Sequence, residues 1–373
     1  MHLLALFFVI DSSHTKKRID AFTKNVDELT IVSYYRTKNV EYEKHHSLGK
    51  SSQKHYLRRF LKLILDIPRL SKILSNNPEI DVVYAWNFDI ALLFVLATLF
   101  SNRNYTFIYE VADIKPILLS KSAVGNILRK LEQFILNKTN YICVTSEDFI
   151  INYFDKHYKY IANTHLLENK VFPKIDSTLI AKSNITRYCS KWRIGYVGLF
   201  RCNTSLQLLL ELAIRLPKNI EIILAGRPEK HVNDIFNKLI TLKNSTYIGE
   251  YKYPDDLPNI YSKIDIIWSA DFADHSDNSK WLLPNRIYEA GIFNVPQLCF
   301  SDNMAICKYI RSYKIGWVID KTNIESLLKF FSTLTHESHQ QIKSNYDKLI
   351  VDQFSGDDQV KSLINRVKSK MRN

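Results

Sequence analysis

Short apolar runs alternate with longer amphipathic ones along the whole chain. LLALFFVI (3–10) precedes a lysine-rich stretch of helical period, then come ELTIVSYY (28–35), a helical pattern over His55–Leu74 and the run DVVYAWN (81–87). An apolar helix after Asp89 follows, then YTFIYEV (105–111), a helix over Val124–Asn137, YICVTS (141–146) and a helix over Glu147–Phe154. Runs that are apolar at every position predict strands covered on both faces of a parallel sheet, and their alternation with helices predicts βαβ units.

Between Leu167 and Lys191 the periodicity fades into a polar stretch with Pro173, Ser177, Ser183 and Asn184, the composition of an interdomain connection. The pattern then restarts with WRIGYVG (192–198), a helix over Ser205–Leu216, NIEIILAG (219–226), a helix near Val232–Leu242, STYIGEY (245–251), a helix ending near Lys263, and DIIWSAD (265–271). The expectation is an α/β protein of two doubly wound, Rossmann-like parallel-sheet domains in tandem. A length of 373 residues agrees with two domains.

Composition narrows the chemistry. Lys plus Arg (51) exceed Asp plus Glu (38) by 13, which favours an anionic partner. The charge is spread along the chain, with no basic stripe interleaved with aromatics, so nucleic acid is not the expected one. Five cysteines, without a CxxC pair, argue against a disulfide framework and a structural zinc site and fit a reducing cytoplasm. The apolar start lacks a basic n-region and a small-residue cleavage site, and Ile90–Phe100 is too short to span a bilayer, so neither a signal peptide nor a transmembrane helix is expected. Only nine residues are glycine, so each is expected to answer a backbone need; Gly198, Gly226 and Gly249 each close a strand-like run, where an open parallel sheet receives ligands. GKSS at Gly49 imitates the end of a P-loop, but Lys44 stands where the earlier glycine is required.

One segment carries most of the functional signal. DNSKWLLPNRIYEAGIFNVPQLCFSD (277–302) is a polar loop, a Pro-Asn helix start, a short helix ending at Gly291 and an apolar strand. It resembles the nucleotide-sugar site of GT-B glycosyltransferases of the family 4 type, above all bacterial exopolysaccharide and capsule enzymes, in which a helix reading L-P-x-K/R-x-Y-E follows a polar loop. The resemblance implies that Glu289 binds the ribose hydroxyls, that backbone N–H groups at the helix start near Asn285 meet the diphosphate, and that Arg286 and Lys280 add charge to it. The plain alternative is that Glu289 and Arg286, three apart, are a solvated helical pair. Trp281 occupies the place of the family's first glutamate, which would touch the donor sugar; Asp277 or Asn278 is left to replace it.

The resemblance extends over most of the chain. RIGYVGLFR (193–201) is similar to the first strand and phosphate-facing loop of the donor domain, with Gly198 and Arg201 matched and Leu206 in place of a companion lysine. The alternative makes Gly198 a tight turn and Arg201 an exposed first-turn residue. YEVADI (109–114) is similar to a YExHD stretch facing donor and acceptor, with Glu110 and Asp113 matched and Ala112 at the histidine place. The resemblance implies catalytic roles for Asp113 and Glu110, Asp113 being the candidate base or transition-state stabiliser, with a turn cap as its alternative. His14, Lys17 and Arg18 after the first strand either meet an anionic acceptor or form a solvated helix face.

The implied architecture is GT-B: an acceptor domain over 1–168, a nucleotide-sugar domain over 169–352, the two facing a cleft, and a last helix over 353–373 returning to the first domain. The implied activity is a hexosyltransferase (EC 2.4) moving a sugar from a nucleoside diphosphate sugar, UDP- or GDP-linked, to a hydroxyl of a polyprenyl-linked glycan in surface polysaccharide synthesis. No cofactor or metal is expected, since no D-x-D triplet occurs. The basic, apolar helix Lys54–Leu74 is expected to rest on the anionic inner face of the cell membrane, its cations Lys54, Arg58, Arg59, Lys62 and Arg69 dominating. A non-hydrolysing sugar-nucleotide epimerase of the same fold, or a non-catalytic sugar-nucleotide-binding homologue, is the alternative.

Overall fold

Apolar strands that cannot face water must find cover on both sides, and the chain provides it twice. A computed structural model describes residues 1–38, 40, 42–51, 56–158, 163–172, 175, 191–272 and 277–371. The chain folds as two units, Met1–Glu168 with Asp357–Asn373, and Asn169–Gly356. Ser177, Ser183, Asn184 and Pro173 of the expected connection lie outside the described residues.

The first unit is built on a seven-stranded sheet of β1 (His2–Phe7), β2 (Glu28–Tyr35), β3 (His45–Lys50), β4 (Ile80–Trp86), β5 (Thr106–Val111), β6 (Tyr141–Val144) and β7 (Asn163–Leu166). Its order is β3-β2-β1-β4-β5-β6-β7, and every pairing is parallel. The strands that read as apolar runs occupy the middle, and β1 is buried along its whole length. The two edge strands, HHSLGK and NTHL, carry little apolar signal and were not expected; an edge strand needs only backbone pairing on one side. Helix Asp357–Met371 completes this unit: Lys368 Nζ donates to the Asn25 carbonyl at 3.3 Å, the Tyr141 hydroxyl to the Arg366 carbonyl at 3.2 Å, and Gln359 Nε2 to Glu168 at 2.9 Å. The return point falls at Gly356/Asp357, four residues beyond the expected 352.

The second unit holds a six-stranded, all-parallel sheet of β8 (Trp192–Phe200), β9 (Ile220–Pro228), β10 (Ser245–Gly249), β11 (Ile266–Trp268), β12 (Gln297–Phe300) and β13 (Gly316–Ile319), in the order β10-β9-β8-β11-β12-β13. Period-two alternation divides its core. Ile222 and Leu224 of β9 join Tyr196, Trp268, Leu298 and Phe300 on one face, while Ile223 and Ala225 join Val197, Ile267 and Cys299 on the other. Leu206, where a lysine was sought, is fully buried in the first of these clusters.

Candidate functional site

Each sheet collects polar groups at the C-terminal ends of its strands, where parallel α/β sheets bind ligands. In the second unit three neighbouring strands carry left-handed glycines at or near their C-terminal ends: Gly198 (φ +110°) and Gly226 (φ +131°), each two residues before the end of its strand, and Gly249 (φ +98°), the last residue of β10. Only glycine takes such a conformation without strain. Gly198 and Gly226 are also paired across β8 and β9. Together they keep backbone, not side chains, at this end of the sheet.

Two arginines stand beside these turns and share one carboxylate. Arg201 Nη2 lies 3.0 Å from Asp271 Oδ2, and Arg286 Nη2 lies 3.8 Å from the same oxygen. Asp271 is buried and follows β11; sequence reading passed over it, although an aspartate just past a strand end was in plain view in DIIWSAD. Arg286 is buried too, donating to the Ala270 and Ser269 carbonyls at 2.6 and 3.2 Å and lying 5.2 Å from the Tyr196 ring centre. It is therefore not half of a solvated pair with Glu289. Arg201 is the more exposed of the two.

Glu289 and Asn285 belong to helix Asn285–Ile292, whose N-cap is Pro284 and which has no side-chain cap. Glu289 is 2% exposed, and Tyr261 donates its hydroxyl to Glu289 Oε2 at 2.9 Å. Tyr251 and Tyr253 lie close enough that burial, reinforced by the Glu289 charge, pushes both phenols above their ordinary range. This carboxylate sits among tyrosines of the YIGEYKYPDDLPNIY segment, some 30 residues earlier in the chain. Lys280, on the short helix Asp277–Trp281, is half exposed and paired with Asp277 at 2.9 Å, while Trp281 and Asn278 are buried.

In the first unit the structure corrects two expectations. Glu110 is completely buried and its two oxygens are engaged by three hydrogen-bond donors, Arg18 Nε at 2.9 Å, Arg18 Nη2 at 3.0 Å and the Tyr84 hydroxyl at 2.6 Å, with His14 Nε2 lying 3.2 Å away. Burial works to raise its pKa, but the Arg18 guanidinium and His14 outweigh it and hold the carboxyl down to about 2. Such a group orients its neighbours and has no oxygen left for an acceptor, so it is a positioning residue and not a catalytic one. Nor is the helix Ser13–Asn25 solvated on the side of Lys17 and Arg18, which are 4% and 6% exposed. Arg18 also donates to the Leu167 carbonyl at 2.8 Å, and His14 stacks on Trp86 at 5.1 Å between ring centres.

Asp113 is exposed beyond the end of β5, held by Asn87 Nδ2 at 3.1 Å. Asn87, in the left-handed region at φ +67°, also accepts from the Ala112 amide at 3.1 Å and donates its own amide to the Glu110 carbonyl at 2.8 Å. The YEVAD turn is thus pinned to the end of β4 by a residue missed in the sequence. Asn after an apolar run followed by a helix was the available signal.

Helix Tyr56–Asn76 buries Leu63, Leu70 and Leu74 and leaves Phe60 (46%), Leu61 (52%), Ile64 (42%) and Leu65 (74%) exposed. Its cations are less available than expected. Arg59 pairs with Asp89 and stacks 3.7 Å over Phe8, Lys62 lies 4.9 Å over Tyr34, and Arg69 pairs with Asp66 at 3.0 Å. Lys54 lies outside the described residues, and Arg58 is exposed. Among the described residues no helix is long and apolar enough to cross a membrane.

Relatives agree with this architecture. No protein-family model matches the chain. Over 296 residues, 77% of this chain and 72% of that protein, it is 30% identical to the succinoglycan biosynthesis protein ExoL of Rhizobium meliloti (strain 1021). Among solved structures, Anabaena Alr3699/HepE in complex with UDP and glucose superposes with a TM-score of 0.70 at 13% identity, covering 99% of each chain. Sucrose-phosphate synthase from Thermosynechococcus elongatus superposes with a TM-score of 0.71 at 10% identity, covering 100% of this chain and 99% of its own. The fold is GT-B, and the chain belongs to the GT-B glycosyltransferases of exopolysaccharide biosynthesis, the family of ExoL. It is a glycosyltransferase of surface polysaccharide synthesis.

Proposed function

We propose that the second unit binds a nucleoside diphosphate sugar, with UDP or GDP as its nucleotide, and that the sugar passes to a hydroxyl of a lipid-linked glycan. The observation that carries this reading is the row of left-handed glycines, Gly198, Gly226 and Gly249, flanked by Arg201 and the uncapped start of helix Asn285–Ile292. Bare backbone at the strand ends admits a diphosphate closely, and a helix N-terminus and a guanidinium supply positive potential. In this reading Arg201 and Lys280 turn to the phosphates, Arg286 holds Asp271 and the β11 end in place, and Glu289 meets the ribose while Tyr261 fixes its carboxylate. HepE, crystallised with UDP and glucose, is a precedent for such a ligand on this fold.

Asp113 is the group proposed to act on the acceptor hydroxyl or on the positive charge that develops at the sugar's anomeric carbon. The buried Glu110–Arg18–His14–Tyr84 cluster keeps the strand end beneath it rigid. The exposed stripe Phe60, Leu61, Ile64 and Leu65 is proposed to enter the headgroup layer of an anionic inner leaflet, bringing the protein to its lipid-linked acceptor. ExoL's place in succinoglycan biosynthesis supports transfer over epimerisation.

Calorimetric titration of the full chain with UDP and GDP tests the donor half of this reading. Binding of one nucleotide per chain that persists in EDTA is expected, with Arg201→Ala weakening it. Absence of binding to either nucleotide overturns the reading, and binding lost in EDTA overturns its metal independence.

A further inference from the structure

At the opposite ends of the first unit's strands lies a group of side chains that glycosyl transfer does not use. His2 opens β1, Glu28 opens β2 and Glu79 immediately precedes β4, and β1 lies between the other two strands. His2 pairs in register with Glu28 on one side and Ile80 on the other. The three side chains are far apart in sequence and meet because three neighbouring parallel strands start level.

The His2 side chain is 5% exposed, and its two nitrogens fare differently. Nε2 is hydrogen-bonded with the Thr30 hydroxyl at 2.8 Å. Nδ1 is buried and has no hydrogen-bond partner. It points between two carboxylates, with Glu28 Oε2 and Glu79 Oε1 each 3.5 Å away. That separation is too long for an N–H···O bond, which runs to about 3.2 Å. It is the length that a shared ion imposes, because metal–nitrogen and metal–oxygen bonds of about 2.0–2.2 Å at near-tetrahedral angles leave the two ligand atoms roughly 3.3–3.5 Å apart. The three ligand atoms all lie within 4.8 Å of one another.

We propose that His2 Nδ1, Glu28 and Glu79 bind a divalent transition-metal ion, Zn²⁺ foremost, which ties together the starts of β1, β2 and β4. Imidazole and carboxylate are the donors such ions take, and three protein ligands leave a position for water. The Thr30 hydroxyl, accepting from Nε2–H, leaves the Nδ1 lone pair directed at the ion, the usual way a neighbour fixes a ligating histidine. Lys44 is paired with Glu28 through Oε1, the oxygen turned away from the histidine. Glu28 and Glu79 are 34% and 49% exposed, which lets an ion enter the folded protein.

The test uses the full chain, without an N-terminal tag and dialysed against EDTA and then chelator-free buffer. Calorimetry with ZnCl2, thermal melts and visible spectra with Co²⁺ are the readouts. The expected result is one ion per chain, a higher Tm with Zn²⁺, and a Co²⁺ spectrum of low coordination number. Glu79→Gln, a change at a half-exposed position that leaves the fold intact, should weaken Zn²⁺ roughly tenfold or more, since even outer partners of metal ligands are worth about 10–100-fold. His45→Gln/His46→Gln should leave affinity unchanged. A wild-type Tm indifferent to Zn²⁺, or a Glu28→Gln/Glu79→Gln variant that binds as tightly as wild type, overturns the proposal. Loss of the ion on changing His45 and His46 overturns it as well.

Discussion

A methyl group built on Gly226 would lie 1.8 Å from the carbonyl oxygen of Gly198. The two glycines are cross-strand partners two residues before the ends of β9 and β8, and each makes room for the other. Gly226→Ala meets this overlap and also the unfavourable φ of +131°. It is expected to destabilise the protein by about 1–3 kcal/mol or more and to abolish UDP binding at 25 °C. Denaturant midpoints and calorimetry on the same sample measure the two effects.

Gln at position 110 would leave the Arg18 guanidinium buried without its counter-charge. Breaking such a pair costs about 3–5 kcal/mol, so Glu110→Gln should unfold at a markedly lower urea concentration. The pH dependence has a definite sign. A carboxyl whose pKa is about 2 when folded and 4.5 ordinarily stabilises fully above pH 4.5, and this stabilisation drains away as pH falls toward 2. Wild type should lose stability across that window, and Glu110→Gln should show a shallower loss.

Asp113 carries no such structural load: it is exposed and held by one bond from Asn87. Asp113→Asn should therefore fold normally and bind nucleotide as wild type does. Its turnover, read as UDP released from the donor with acceptor present, should fall by about 10²–10⁴. Undiminished turnover removes Asp113 from the mechanism.

Glu289 can be separated from its surroundings with two variants. Glu289→Gln should weaken nucleotide binding by about 1–3 kcal/mol, the scale for a hydrogen bond to a charged group. Tyr261→Phe removes only the 2.9 Å bond that steadies the carboxylate and should weaken binding less. A Glu289→Gln protein that melts lower but binds UDP undiminished would make the glutamate a strut for Tyr261.

Leu61 and Leu65 are the places to challenge the membrane reading. Each buried leucine is worth roughly 1.5–3 kcal/mol, and most of the described cations on the helix are already engaged, so apolar burial should outweigh charge. Leu61→Asp/Leu65→Asp should stop cosedimentation with phosphatidylglycerol vesicles, and wild-type binding should survive a rise in salt. Wild-type protein that ignores the vesicles ends the proposal.

The central strands were legible because burial on both faces forces continuous apolar runs: ELTIVSYY is β2 to the residue. The helix and strand of the 277–302 segment were also legible, because proline and glycine punctuate them. The edge strands β3 and β7 were not, since backbone pairing leaves no mark on side-chain chemistry. The largest misreading concerned charge. Arg18, Arg286 and Glu110 look like surface or ligand groups in a linear sequence, and only the fold shows that each is buried against a partner as much as 149 residues away. Residue type shows that a charge exists, while its partner depends on strand order.

The pairing of Val171 with Ser355 gives the chain's order of synthesis a physical meaning. Val171 accepts from the Gly356 amide at 3.0 Å and donates to the Phe354 carbonyl at 2.8 Å, so the strand entering the second unit and the one leaving it run side by side. The second unit is thus an insertion between Glu168 and Asp357 of the first, bounded at one place. On the ribosome it can close as soon as Gly356 emerges. The first unit, although its strands are made before the second unit, must wait for the helix Asp357–Met371 to cover the flank of Ser13–Asn25, so of the two units the one begun first is finished second.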